Sequence, residues 1–322
     1  MRALVTGAAG FIGSAFVRSS LRHSGPTFPD MEITAFDALT YAGNLENLTP
    51  VADHPRFTFV RGDIADGELL AEVLPGHDVV INFAAETHVD RSIEGPSVFV
   101  RTNVLGTHTL LEAARLAGVQ RFVQVSTDEV YGSIDTGSWT EESPLSPNSP
   151  YAAAKAGADH LALAYSRTYG MHVCITRCSN NYGPYQFPEK LIPRFVTLLM
   201  EGHKVPLYGD GGNVRDWLHV DDHCAGIRLV LEKGRPGEVY HIGGGTELTN
   251  AELAPLLLKE FGHGADRVER VPDRLGHDRR YSLDDSKLRA LGYRPGVPFT
   301  EGLRATVAWY RENTSWWKPL LP

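Results

Sequence analysis

The chain has 322 residues, 42% of them hydrophobic and 22% charged, with 32 Gly and 20 Pro spread along it. These are ordinary globular values that exclude a disordered, collagen-like or repeat protein, and a chain this long buries about three quarters of its unfolded surface in one large core or two. The formal charge is −8 and no run of Lys and Arg occurs, so no nucleic-acid partner and no membrane partner is expected.

No stretch of about 18 apolar residues is present, and the N-terminus enters an apolar strand at Ala3-Leu4-Val5 with no basic leader. A cytoplasmic protein is expected. Cys174, Cys178 and Cys224 lie in apolar segments without the paired spacing of a zinc site, so they read as small core residues and no metal is expected.

Apolar runs at 2–6, 32–37, 56–60, 78–84, 121–126 and 172–177 predict buried strands that alternate with helix-period segments. Such alternation gives an α/β fold, a Rossmann-type doubly wound parallel sheet with helices on both faces. Two predicted helices are long, 98–118 and 150–169, the second with Pro150 at its start and Gly170 just past its end. Beyond Arg177, turn-rich stretches at 179–188, 209–212 and 243–245 separate shorter elements, which predicts a smaller C-terminal α/β domain. The strand-like run 239–242 returns to the first sheet. The expected boundary is therefore discontinuous, with a nucleotide-binding domain of 1–178 plus about 218–244 and a second domain of 179–217 and 245–322.

Gly7-Ala-Ala-Gly10-Phe-Ile-Gly13 follows the first strand and opens a helix, which sets unpaired N–H groups and a positive dipole end against a pyrophosphate. Only glycine permits so tight a turn and so close an approach. A glycine triplet alone arises in turns by chance; its place after the first strand makes it a dinucleotide loop. The second strand ends at Asp37, whose carboxylate can accept both ribose hydroxyls, and Ala38 offers no cation for a 2′-phosphate, so NAD is favoured over NADP. Asp37 lies farther along than the usual ~20 residues, and the Pro-containing loop 24–31 accounts for the excess. Its other reading is a turn cap. Asp63-Ile64 is placed to contact adenine, although an Asp after a Gly is also common turn chemistry.

Tyr151-Ala-Ala-Ala-Lys155 puts a phenol and an ammonium on one helix face, where the ammonium field lowers the phenol pKa and prepares a base toward an alcohol. Alone, this spacing also describes a solvated helix face. Joined to the dinucleotide loop, it resembles the short-chain dehydrogenase/reductase superfamily, and the long C-terminal part is similar to the extended branch that acts on nucleotide sugars. The fifth strand ends in Ser126-Thr127-Asp128-Glu129-Val130-Tyr131-Gly132, and the carboxyl ends of such strands face the ligand crevice. Adjacent carboxyl groups serve as general acid and base when their environments separate their pKa values. The plainer alternative is one acid capping a turn and the other facing water.

With Thr6-Gly-Ala-Ala-Gly-Phe-Ile-Gly13, Asp37-Ala-Leu-Thr-Tyr-Ala-Gly-Asn44, Ala84-Ala-Glu-Thr-His-Val-Asp-Arg-Ser92, Ser126-Thr-Asp-Glu-Val-Tyr-Gly132, Ser179-Asn-Asn-Tyr-Gly-Pro-Tyr-Gln-Phe-Pro-Glu-Lys190, Arg215-Asp-Trp217 and His277-Asp-Arg-Arg-Tyr281, the chain resembles the dTDP-glucose 4,6-dehydratases over nearly its whole length. The resemblance implies a lyase on dTDP-glucose that oxidises C4, eliminates water across C5 and C6 and returns hydride to C6, with NAD recycled in the site. It implies Thr127 and Tyr151 at the C4 hydroxyl, Lys155 beside Tyr151, Asp128 as acid at C6 and Glu129 as base at C5. It assigns to NAD Gly7, Gly10, Phe11, Ile12, Gly13, Asp37, Ala38, Leu39, Thr40, Gly43, Asp63, Ile64, Phe83, Ala84, Ala85, Glu86, Thr102, Tyr151, Lys155 and Asn181. To the nucleotide sugar it assigns Thr87, Thr127, Asn180, Lys190, Leu191, Pro206, Leu207, Tyr208, Arg215, Asn250, Arg274, His277 and Asp278. The pattern departs at Leu275, where the family more often has Pro, and at Ala38, where relatives often carry Lys.

Arg215 and Arg274 are the fork-shaped donors a diphosphate needs, with Asn250 as a neutral donor, or else surface ion-pair residues. His88, His219, His223 and His277 form no ligand cluster and read as structural, and Trp309, Trp316 and Trp317 read as packing. The two long helices, together with the resemblance, imply a homodimer through a four-helix bundle. An epimerase, decarboxylase or plain dehydrogenase of this fold needs Tyr151 and Lys155 but no acid pair. Dehydratases of UDP-N-acetylhexosamines typically carry Lys where Glu129 stands. A non-catalytic NAD sensor tends to lose the Tyr or the Lys, and both are present.

Overall fold

The computed structural model describes residues 1–22, 28, 30–273 and 276–321. Its strands are β1 (Arg2–Thr6), β2 (Glu32–Asp37), β3 (Phe57–Arg61), β4 (Val79–Asn82), β5 (Arg121–Thr127), β6 (Val173–Cys178), β7 (Asn180–Tyr182), β8 (Val205–Tyr208), β9 (Val214–His219), β10 (Val239–Ile242), β11 (Glu247–Thr249) and β12 (Val268–Val271). Seven of them form one sheet in the order β10-β6-β5-β4-β1-β2-β3, every pairing parallel. All four residues of β4 and all six of β6 are buried, as a parallel sheet covered on both faces requires. One face packs Phe16 and Val17 of the helix Phe11–Arg22 with Ile227, Val230 and Leu231 of the helix Val220–Lys233. The other packs Leu70, Leu110, Leu111, Ala114, Ala162 and Tyr165 from three further helices. Cys174, Cys178 and Cys224 are free and buried, as core thiols.

The strands match the apolar runs to within a residue or two; β4 is shorter than 78–84 because the chain leaves the sheet at Phe83 and Ala84 to line a cavity. The helix Pro150–Tyr169 has its expected ends: Ser149 Oγ accepts from the Ala152 N–H at 3.1 Å, Pro150 fills the first turn, and Gly170 closes it at φ 68°. The other long helix differs from 98–118. Helical turns start at Pro96, widen into a π segment at Val100–Gly106 and continue as Thr107–Leu116. The Asn103 side chain in that wide turn accepts from the Glu86 N–H at 2.9 Å and donates to the Glu86 carbonyl at 3.0 Å, fixing the loop after β4.

Past β6 the chain builds a three-stranded sheet, β11-β9-β7, and a β12-β8 pair. Phe195, Val196, Leu253, Leu257, Val307, Tyr310, Trp316 and Trp317 share a separate core there. The chain returns to the large sheet through Val220–Lys233 and β10, which pairs with β6. Among the described residues, no helix is long and apolar enough to cross a membrane, and no group of three or more His, Cys, Asp and Glu is placed to hold a metal ion.

Candidate active site

The strand order reverses between β1 and β4, and a cavity of about 290 Å³ opens there at the carboxyl ends of the strands. Gly7 turns at φ 63°, and a Cβ on it would sit 2.6 Å from the Ala84 nitrogen; one on Gly13 would sit 2.2 Å from the Gly7 carbonyl. The turn therefore admits only glycine at both positions, and it aims the first N–H groups of Phe11–Arg22 into the cavity. A pyrophosphate fits that donor set. Gly7, Gly10, Phe11, Ile12, Gly13, Asp37, Ala38, Thr40, Gly43, Asp63, Ile64, Phe83, Ala84, Ala85, Glu86, Thr102 and Asn181 all line this cavity.

Leu39 is the exception among the dinucleotide residues expected from the sequence. Its backbone is left-handed at φ 55°, its N–H donates to Asp37 Oδ1 at 2.8 Å, and its side chain packs on the core. Asp37 Oδ2 takes the Ala9 N–H of the glycine turn, also at 2.8 Å. The carboxylate thus caps the loop and faces the cavity at once, which its remaining lone pairs permit. Burial pushes its pKa up against those two bonds. Asp63 likewise holds its own turn, with Oδ1 accepting from the Ala65 N–H at 2.9 Å.

The acid pair begins a short 3-10 turn, Asp128–Tyr131, directly after β5. Thr127 Oγ1 accepts from the Glu129 N–H at 3.3 Å and donates to Asp128 Oδ1 at 3.2 Å. Asp128 is 2% exposed, and its Oδ2 has no hydrogen-bond partner among the described residues. Burial first, then the Glu129 charge, drives its carboxyl well above the usual range, only partly offset by Arg215 and Thr127. An upward shift of this kind suits a carboxyl to the role of proton donor.

Tyr151 and Lys155 lie beside this turn, both buried. The expected lowering of the phenol pKa is not found. Burial, then Glu129 and Cys178, raise it well above normal, while Lys155 Nζ is drawn to the Val125 carbonyl at 2.6 Å. Burial lowers the ammonium pKa, opposed by Asp159. Asp159 Oδ2 also accepts from Ser126 Oγ at 3.0 Å and Arg177 Nε at 2.9 Å, and Arg177 reaches the Tyr131 hydroxyl at 2.5 Å. A buried polar chain therefore ties β5 and the acid turn to the helix that carries Tyr151 and Lys155.

A second cavity of about 170 Å³ adjoins the first, and Thr87, Glu129, Asn180, Glu189 and Lys190 stand on the walls of both. Leu191, Pro206, Leu207, Tyr208, Arg215, Asn250 and His277 line it further. Arg215 is 5% exposed and stacks 4.3 Å over the Tyr281 ring, so it is no surface ion-pair residue. Asn250 Oδ1 is buried with no partner among the described residues. Asp278 is not on the wall: its carboxylate accepts from Asn148 at 2.5 Å and from the Tyr281 hydroxyl at 2.6 Å, while its carbonyl takes Arg215 at 3.0 Å. It holds Arg215 from behind. Arg274 and Leu275 lie outside the described residues.

Several lining residues escaped the sequence reading. His88, Arg194, Phe195 and Trp217 line the second cavity, and Asn47, Tyr185 and Trp316 line the first. His88 was expected to be structural, and it does cap the helix Val89–Glu94, its Nδ1 accepting from the Arg91 N–H; burial pushes its pKa down to about 4. Phe195 carries only a core-like pattern in the sequence, which hides a role on a wall, whereas Trp217 belongs to the Arg215-Asp-Trp217 motif without a role of its own there.

A pyrophosphate turn opening toward a phenol, an ammonium and two carboxyls, with a second polar cavity alongside, is the layout of an extended short-chain dehydrogenase/reductase. The family model described as GDP-mannose 4,6 dehydratase matches residues 4–306. The chain is 61% identical to a dTDP-glucose 4,6-dehydratase of Streptomyces niveus over 99% of its own length and 96% of the relative's. It matches the crystal structure of a dTDP-glucose 4,6-dehydratase from Streptomyces venezuelae, solved with NAD bound, at TM-score 0.98 and 64% identity across 100% of both chains. The corresponding Bacillus anthracis enzyme, in complex with NAD, matches at TM-score 0.92 and 52% identity, again over 100% of both chains. The chain belongs to the dTDP-glucose 4,6-dehydratase family.

Proposed function

We propose that the chain converts dTDP-glucose to dTDP-4-keto-6-deoxy-glucose and water. The observation that carries this reading is the buried Asp128 carboxyl at the end of β5, next to Glu129, which stands where the two cavities meet; burial and the Glu129 charge push the Asp128 pKa up, toward the acid role. NAD, held on the Gly7–Gly13 turn and Asp37, supplies the acceptor for hydride from C4 and its source at C6. Tyr151, as the phenolate that the Lys155 cation favours, takes the C4 hydroxyl proton and becomes the phenol, with Thr127 holding the same oxygen. The C4 ketone acidifies the C5 proton, which Glu129 removes and returns to C5 as hydride adds at C6. Asp128 gives its proton to the C6 hydroxyl, which leaves as water. Arg215 and Asn250 hold the diphosphate end of the substrate in the second cavity.

The division into a dinucleotide domain, 1–178 plus about 218–244, and a sugar-nucleotide domain, 179–217 and 245–322, follows from the same reading. Val98, Val100, Leu105 and Leu116 leave apolar side chains exposed on one long helix, which supports pairing of two copies through this helix and Pro150–Tyr169. Three buried free thiols suit the reducing cytoplasm.

The test is incubation with dTDP-glucose and mass spectrometry of the product. Loss of one water with no net reduced cofactor is expected. An isomer of unchanged mass, or one reduced cofactor per product, overturns the reading.

A further inference from the structure

Trp316, in the short helix Thr314–Trp317, comes from the last turns of the chain yet lines the same cavity as the Gly10–Gly13 turn. Its indole N–H donates to Asn47 Oδ1 at 2.9 Å, and the Asn47 amide donates onward to the Ala9 carbonyl at 2.8 Å. Asn47 is 2% exposed, so both bonds are shielded from water. The Ala9 N–H is held on the opposite side by Asp37. Ala9, in the middle of the glycine turn, is thus held at both its N–H and its carbonyl, and the carbonyl also takes the Asn44 N–H at 3.0 Å.

The same contact is braced from a second direction. Arg18 donates to the Asn47 carbonyl at 2.6 Å and to Ser14 Oγ at 2.9 Å, and its guanidinium lies 4.1 Å from the Tyr185 ring centre. Tyr185, in a left-handed backbone conformation at φ 68°, packs against Trp309 at 4.4 Å and Trp316 at 5.7 Å between ring centres. A non-glycine residue held there is over-determined by its surroundings.

We propose that Trp316 is a positioning residue for the dinucleotide turn, holding Ala9 through Asn47 so that the C-terminal segment sets how long the dinucleotide stays bound. This rests on the NAD reading under Proposed function. A cofactor restored within each turnover has to outlast many turnovers, and a turn free to reshape would release it. The indole N–H is the link that matters. A phenyl ring in its place keeps most of the packing but leaves the buried Asn47 oxygen without its donor.

The experiment measures NAD dissociation from the full chain by dilution into excess unlabelled NAD, with melting temperature recorded alongside. Trp316→Phe and Asn47→Asp are each expected to release NAD about 10-fold faster, the order of effect of one buried hydrogen bond. Trp317→Phe is the control, since that fully buried indole donates to the Tyr310 carbonyl and not toward the turn; its NAD release is expected to match the parent. Unchanged release in Trp316→Phe overturns the proposal, as does equal acceleration in Trp317→Phe, which would make the effect general packing. If Trp316→Phe does not fold, Asn47→Asp decides alone, and parent-like release there overturns the proposal. A parent chain that holds no NAD overturns the dinucleotide reading, whereas a parent that holds NAD with variants behaving alike overturns this inference only.

Discussion

Lys155 Nζ lies 2.6 Å from the Val125 carbonyl oxygen, so the ammonium is tied to β5 two residues before Thr127 and one helical turn from Tyr151. That bond keeps Nζ at a fixed depth under the acid turn; burial, Glu129 and Cys178 raise the phenol pKa, and the base role proposed for Tyr151 needs the Lys155 cation on the same helix face to favour the phenolate against them. Tyr151→Phe removes the only proton acceptor assigned to the C4 hydroxyl. No absorbance from reduced cofactor is expected when this variant is mixed with dTDP-glucose, although the sugar nucleotide still binds. Lys155→Met is expected to slow the same oxidation by ~10²–10⁴, and stopped-flow absorbance compares the two.

Asp37 and Ala38 set the dinucleotide preference. A 2′-phosphate would meet the Asp37 carboxylate, which already serves the Ala9 and Leu39 N–H groups and cannot turn away, with no cation at Ala38 to offset the repulsion. NAD is expected to bind at least ~10²-fold more tightly than NADP, a gap of about 3 kcal/mol. Calorimetry on cofactor-stripped protein checks this, and equal affinities would remove Asp37 from its assigned role.

Two buried histidines make the fold acid-sensitive. Burial pushes His223 and His241 down to about 3. His223 Nδ1 faces Asn181 Oδ1 at 2.9 Å, and His241 sits between the Tyr131 hydroxyl at 2.6 Å and the Asp284 carbonyl at 2.9 Å. A folded-state value below the unfolded one means that the stability is present above about pH 6.5 and is lost as the pH falls from there toward 3. Each group contributes a slope of about 1.4 kcal/mol per pH unit in that window. Asp128, raised by burial, has the opposite sign, so the comparison must isolate one histidine. His223→Asn keeps an N–H where Nδ1 meets Asn181 but does not titrate. Between pH 7 and pH 5 the parent is expected to lose about 2 kcal/mol more than this variant in urea denaturation; equal losses contradict the assignment.

The sheet was legible because its strands are short and apolar, the central ones buried on both faces, and the ends of Pro150–Tyr169 because Ser149, Pro150 and Gly170 each carry a local backbone reason. The Asp128-Glu129 pair stood out for the same kind of reason, since its place directly after a strand predicts where it faces. What stayed hidden depends on partners far away in the chain. Trp316 reaches Asn47 across 269 residues, and nothing near Trp316 separates that contact from ordinary packing. The π turn at Val100–Gly106 leaves the hydrophobic pattern almost unchanged. Asp278 has the residue type of a cavity group, yet Asn148 and Tyr281 draw its carboxylate away from the wall.

The exposed apolar helix predicts association. Leu105 and Leu116 are 53% and 71% exposed, and burying such side chains contributes about 1.5–3 kcal/mol each. Sedimentation at micromolar concentration is expected to show a dimer for the parent and a folded monomer for the Leu105→Glu, Leu116→Glu double variant. A parent that sediments as a monomer removes the bundle.

The acid pair gives the sharpest separation of steps. Asp128→Asn keeps the shape and the bond from Thr127 but has no acidic proton for the C6 hydroxyl. Elimination is expected to slow by ~10²–10⁴ while C4 oxidation proceeds, so reduced cofactor accumulates. Because the charged form of Asp128 is the one that burial disfavours, the same variant is expected to melt no lower than the parent at neutral pH. Glu129→Gln should also stop elimination, with one further consequence: the C5 proton no longer exchanges with solvent deuterium, whereas in Asp128→Asn that exchange continues behind the block. Deuterium placed at C4 of the substrate should appear at C6 of the product, since hydride leaves and returns within one site. NMR of the product reads both labels. Loss of the C4 label to the medium, or parental turnover in Asp128→Asn, would show that the buried carboxyl is not the acid and that the order of steps assigned to Tyr151, Glu129 and Asp128 is wrong.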